Sequence, residues 1–185
     1  MLYDIMVDKT KKIMHIINEN FLTSEYDVME GIEEMGVPLK EVVFSNPYLD
    51  RKKSPSHNVP TISSDFDVVV FLGTVSQQDI GVPPALEELS EFDLLTGYVP
   101  GWYISLGDEI SGKEVYIIVI NVGICKEQEI DIFNTLKHEL LHIENEEHCN
   151  NKGCLFSQDT SNDNFCSECD VKFKKIIKNL KEKNV

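Results

Sequence analysis

Residues 138–154, HELLHIENEEHCNNKGC, gather three histidines, two cysteines and an acid between the first two histidines into one short segment. On a helix, His138 and His142 are separated by about 400°, so both imidazoles leave the same face one turn apart and can grip one ion. Glu139 projects between them, where it can reach a water on that ion without being a ligand. His148 is six residues beyond His142. In a continued helix it would lie about 9 Å further along the axis and point largely away. It can join the same ion only if the helix stops and the chain turns back. Asn145 stands where a left-handed residue would make that turn, and Asn is the usual second choice after Gly there.

Cys149, Cys154, Cys166 and Cys169 follow in a C-x4-C-x11-C-x2-C pattern. Two short-loop pairs joined by a linker suit a closed tetrahedral zinc site of four thiolates. His148 and Cys149 are adjacent, and in an extended segment neighbouring side chains point opposite ways. One residue can therefore serve each of two ions, with NNKG at 150–153 and SE at 167–168 forming the turns between thiolates. The fifth cysteine, Cys125, reads as a small buried apolar residue.

The run from His138 to Cys169 resembles the motif of the archaemetzincins, a branch of the metzincin clan of zinc peptidases. That pattern, HExxHxxGxxHCxxxxCxM followed by CxxC, falls on His138, Glu139, His142, His148, Cys149, Cys154, Cys166 and Cys169. The pattern's glycine is Asn145 here, and its methionine, an apolar floor beneath the metal, falls on Phe156. The segment YVPGWYISLG at 98–107 is similar to the stretch leading to that family's cleft-edge strand. The resemblance implies a mixed α/β fold, a small twisted sheet flanked by helices, with one catalytic and one structural Zn2+. It implies hydrolysis of a peptide or protein substrate that pairs with an edge strand near Tyr98 to Leu106. Three imidazoles leave a fourth zinc position for water, whose pKa falls to roughly 7, and Glu139 is the general base. Tyr98, Tyr103 and Tyr116 are all candidates for a second oxyanion donor. Two other classes remain open. One is a zinc-stabilised peptide-binding protein of the same fold with little or no activity. The other is an HExxH protein of another clan in which a glutamate such as Glu168 replaces His148 as ligand.

Outward from this segment, periodicity supplies coarse elements. Ile130, Phe133, Leu136, Leu140 and Leu141 predict one helix over 126–144. The dense apolar run in SDFDVVVFLGT predicts a buried central strand, and 98–107 and 113–123 predict two more. A short strand is expected at 41–45, an exposed Pro-rich loop at 46–60 and a short helix at 84–89. Residues 8–21, with Ile13, Ile16, Ile17 and Phe21 near helical spacing, predict an amphipathic helix capped by Asp8. DVKFKKIIKNLKEK predicts a closing helix with an apolar stripe of Phe173, Ile177 and Leu180. His15 and His57 fit no ligand spacing.

The chain has 185 residues, enough for one substantial core, so one domain is expected. It carries 17 basic and 32 acidic residues, a net charge of −15 that would repel phosphate backbones and anionic lipid. No nucleic-acid or membrane partner is expected. The longest apolar runs fall far short of a bilayer span, and the N-terminus lacks the order of a secretory signal. Five cysteines, four of them clustered as ligands, fit a reducing compartment, so the expected location is cytoplasmic. A monomer is the default oligomeric state.

Overall fold

The structure of the protein, a computed structural model, describes residues 13–18, 23–45, 67–73, 100–108, 113–145, 147–158 and 162–182. Five strands form one mixed sheet: β1 (Met14–Asn18), β2 (Val42–Ser45), β3 (Val68–Gly73), β4 (Gly101–Asp108) and β5 (Lys113–Asn121), in the order β2-β1-β3-β5-β4. The pairs β2/β1, β1/β3 and β3/β5 are parallel, and β4 returns antiparallel along β5. This is the mixed α/β architecture expected from the sequence.

The helix predicted over 8–21 is corrected by β1. Ile13, Met14, Ile16 and Ile17 are all buried because β1 lies between β2 and β3 and is covered on both faces. A continuous apolar run of this length suits a doubly buried parallel strand, and helical spacing within it carries no information. Residues 8–12 and 19–21 lie outside the described residues, as do the predicted 46–60 loop, the 84–89 helix, His57 and Tyr98. His15 therefore belongs to a strand. Its Nε2 lies 2.7 Å from Ser45 Oγ on β2, and burial pushes its pKa down.

Alternation along the strands divides the apolar residues between two faces. Val68, Val70, Leu72, Tyr116, Ile118 and Ile120 share one core cluster with the helices, while Val69, Phe71, Val115 and Ile117 form a cluster on the other face. Each Val or Ile buried this way contributes about 1.5–3 kcal/mol.

The helical layer starts with α1 (Glu25–Glu34), which no pattern in the sequence had singled out. Ser24 caps it, its Oγ accepting from Asp27 N at 3.1 Å, and Gly36 with φ +83 follows its end. The helix expected over 126–144 is also corrected, because it is two. After α2 (Val122–Glu127), Glu129 takes a left-handed φ of 55°, and α3 (Ile132–Leu141) begins afresh. The restart has a local cause: the Asp131 side chain accepts from Phe133 N and Asn134 N, both at 2.8 Å. Leu136, Leu140 and Leu141 of α3 are buried as the spacing predicts.

The last helix, α4 (Ser167–Glu182), buries Cys169, Phe173, Ile176, Ile177 and Leu180. It is tied to the segment after α3 by Lys175 Nζ and Asn179 Nδ2, which reach Glu144 at 3.1 and 2.7 Å. These exposed contacts orient α4 more than they stabilise it. No described helix is long and apolar enough to cross a membrane.

Candidate metal centres

His138 and Glu139 lie in the last turn of α3, and His142 is its C-cap, so the first two imidazoles leave one end of one helix. His138 and Glu139 are both buried, at 5% and 7% exposure. The helix then unwinds through Ile143 N to Leu140 O at 3.2 Å, and the chain bends at Asn145. That bend does not need left-handed backbone. Among described residues other than glycine only Glu129 has a positive φ, which corrects the expectation for Asn145. The Asn145 side chain makes the turn by donating Nδ2–H to Leu141 O at 2.9 Å. His148 is thereby carried back over the helix.

The nitrogens of His138, His142 and His148 lie within 4.8 Å of one another. His138 Nδ1–H donates to Leu155 O at 2.8 Å, and His142 Nδ1–H donates to Asn145 O at 3.1 Å. Each bond fixes the ring and leaves Nε2 as the inward atom. His148 Nε2 and His138 Nε2 are 3.2 Å apart. Tetrahedral zinc with Zn–N near 2.05 Å would place two nitrogens about 3.3 Å apart, so the imidazoles fit that ion. Burial pushes His138 down to about 4, against the Leu155 carbonyl and helped by His142 and His148. Burial lowers His142 too, so these two rings are held neutral, the form that ligates.

Phe156 lies beneath all three rings, with centroid distances of 5.2, 4.9 and 5.5 Å to His138, His142 and His148. It occupies the floor position expected for it. Burial pushes the Glu139 carboxyl up to about 8. The cleft above them has a volume of about 360 Å³, and Gly101, Trp102 and Tyr103 of β4 form one wall. Of the two candidate tyrosines among the described residues, Tyr103 and Tyr116, Tyr103 is the one in this wall, its ring 6.2 Å from that of His142. Tyr116 lies behind it and donates to Glu114 Oε2 at 2.9 Å.

The sulfurs of Cys149, Cys154, Cys166 and Cys169 also lie within 4.8 Å of one another. Cys149 Sγ and Cys166 Sγ are 3.8 Å apart, against about 3.8 Å expected for two thiolates on tetrahedral zinc. Cys154 Sγ accepts from Phe156 N at 3.4 Å and Cys166 N at 3.2 Å, and the Cys169 backbone N–H holds the Cys166 thiol down to about 7. The thiolate form is favoured at Cys166, while burial and the neighbouring sulfurs push the Cys169 thiol up. The NNKG turn forms as expected, with Cys154 N donating to Asn151 O at 2.9 Å. Ser167 and Glu168 instead open the first turn of α4, which places Cys166 and Cys169 around a helix start. Glu168 is paired with Lys172 at 2.8 Å and belongs to neither histidine nor cysteine cluster. Cys125 is separate and fully buried, its Sγ 3.6 Å from Thr135 Oγ1.

Three contributions to the site were not read from the sequence: the Leu155 carbonyl, the hydrogen bond of the Asn145 amide and the bare backbone of Gly101. The first two are backbone or second-contact groups. Gly101 was visible only as a glycine at the start of a strand, a common marker of close backbone approach.

No family model matches the sequence, and no curated protein matches it. Among solved structures the chain is similar to a crystal structure of archaemetzincin from Methanopyrus kandleri, at 15% identity and a TM-score of 0.48, over 94% of this chain and 99% of that one.

Proposed function

We propose that the chain is a zinc-dependent metallopeptidase, a single domain that hydrolyses peptide bonds. The observation that carries this reading is the convergence of three ring nitrogens, two of them oriented by carbonyl oxygens, beside a buried glutamate that is not a ligand. His138, His142 and His148 would hold the catalytic zinc; Cys149, Cys154, Cys166 and Cys169 would hold a structural one. Zinc bound to the imidazoles lowers the pKa of water to roughly 7 and polarises a peptide carbonyl.

The chain's own residues do the rest. Glu139 accepts the proton of the attacking water on its carboxylate and passes it to the leaving amine. Burial pushes the Glu139 carboxyl up to about 8, near the pH at which it must both take a proton and give it up. Nδ1–H bonds to Leu155 and Asn145 keep His138 and His142 in one tautomer throughout. Tyr103 faces the same cleft and is the candidate donor to the oxyanion.

The substrate is a peptide or protein in extended form, lying along β4. Nucleic acid and membrane are not partners, the protein acts as a monomer, and its cysteines, none of them in a disulfide, suit the cytoplasm. The test is turnover of a fluorogenic peptide library by zinc-loaded protein. Glu139→Gln should lower the rate by about 10²–10⁴-fold with zinc content unchanged. Equal rates in both proteins would overturn the assignment of the base. Peptide binding without turnover in either would instead favour the reading as a peptide-binding protein.

A further inference from the structure

We infer that Gly101 is a positioning residue for Glu139: the bare backbone where β4 crosses α3 is what lets the carboxylate lie in its working place. Gly101 opens β4 and pairs with Ile120 of β5. A glycine in a strand gives up side-chain packing and weakens the strand, so it calls for a reason. Conformation is not the reason. Gly101 has no left-handed φ, unlike Gly36. Close approach is. A Cβ at position 101 would lie 2.6 Å from Thr135 Cγ2 and 3.1 Å from both Cγ and Oε1 of Glu139.

Thr135 and Glu139 are four residues apart on α3, so they stand one above the other on the face turned to β4. Gly101 fits between them. Thr135 cannot easily swing aside: its Oγ1 donates to Asp131 O at 3.2 Å and meets Cys125 Sγ at 3.6 Å, and a β-branched side chain on a helix has few rotamers. The flexible neighbour is Glu139: with Thr135 held in place, the added methyl presses on Glu139 Cγ and Oε1, which must give by a few tenths of an ångström. The imidazoles are anchored elsewhere, to Leu155 O and Asn145 O, and none lies among the atoms nearest to the added methyl. Position 101 therefore controls the base separately from the metal ligands.

This inference rests on Glu139 being the base, and the experiment separates the two claims. Gly101→Ala should lower kcat about fourfold with KM changed less than twofold, since a misplacement of about 1 Å can cost about 10²-fold in rate and one of a few tenths correspondingly less. Zinc affinity at the imidazoles, measured by chelator competition, should stay within threefold of wild type. Adding Thr135→Ser removes the methyl that is met first and keeps the hydroxyl. The double variant should recover at least half of the lost kcat relative to Thr135→Ser alone. Crystal structures of Gly101→Ala and of the double variant report the position of the Glu139 carboxylate directly, displaced in the first and restored in the second, whether or not any peptide is turned over. An unmoved carboxylate, an unchanged kcat, no recovery in the double variant, or lost zinc affinity would each overturn the role of Gly101. A displaced carboxylate in a protein that hydrolyses nothing would leave Gly101 in its role and overturn the peptidase assignment instead.

Discussion

Asn145 serves both sides of the turn after α3. Its amide donates to Leu141 O at 2.9 Å, closing the last helical turn, and its carbonyl accepts from His142 Nδ1 at 3.1 Å. The side chain thus fixes the carbonyl that fixes the ligand. Asn145→Ala should cost about 1 kcal/mol in stability by leaving Leu141 O without its partner. It should also weaken zinc at the imidazoles by about tenfold while sparing the thiolates, the usual scale for losing a group that orients a ligand. Asn145→Gly discriminates between causes. If tolerance of left-handed backbone were what this position supplies, glycine would match wild type; because the amide is what matters, glycine should behave like alanine in a zinc competition assay. At this scale the sequence was legible where the clustering groups are side chains, as for His138, His142 and His148. It was illegible for the Leu155 carbonyl, because any residue type can present a backbone oxygen.

The segment Cys149–Phe156 joins the two clusters physically. Cys149 N donates to Phe156 O at 2.7 Å, Phe156 N donates to Cys154 Sγ at 3.4 Å, and the Leu155 carbonyl between them orients His138. The same loop supplies the ring under the imidazoles and continues directly from His148 to Cys149. Filling the thiolate site should therefore preform the imidazole site, a positive coupling that must be reciprocal. Cys169→Ser, which touches no histidine, should weaken zinc at the imidazoles by about tenfold. His148→Ala, which removes no thiolate, should weaken the thiolate site by a similar factor. Cobalt(II) titrations can follow the two sites by their different absorption, and a thiolate site indifferent to His148→Ala would sink the coupling.

Legibility of the elements depended on what burial does to each pattern. The strands β3 and β5 declared themselves as dense apolar runs, and the helix α4 as an apolar stripe at helical spacing. The run IMHII misled because a strand covered on both faces has no period to show. Helix α1 escaped because it buries only Val28, Gly31 and Ile32, with Gly31 lying under the Phe133 ring; its signals were Ser24 before it and Gly36 after it. The break before α3 was signalled by Asp131, a capping residue that the surrounding apolar spacing obscured.

At the scale of the molecule, the sheet order among the described residues leaves β4 at one edge, directly beside the cleft. Asn121 N donates to Pro100 O at 2.8 Å, which marks the 100/121 pair as hydrogen-bonded. In an antiparallel ladder bonded and non-bonded pairs alternate, so the Gly101/Ile120, Tyr103/Ile118 and Ser105/Tyr116 pairs are non-bonded. The backbone N–H and C=O of Gly101, Tyr103 and Ser105 therefore point away from β5, toward the side where an extended peptide could add as a further strand. A peptide bound this way offers every second amide to β4 and turns the others outward. A set of peptides each carrying one N-methyl group should accordingly show a period of two: methylation of amides facing β4 weakens binding by about tenfold or more, and methylation of the alternate amides changes it little. The loss combines a missing hydrogen bond with a methyl forced into the strand interface. Binding constants measured with Glu139→Gln protein would read the pattern without turnover. Uniform loss at all positions, or none, would mean that the substrate does not extend the sheet and that the cleft holds its peptide by side chains alone.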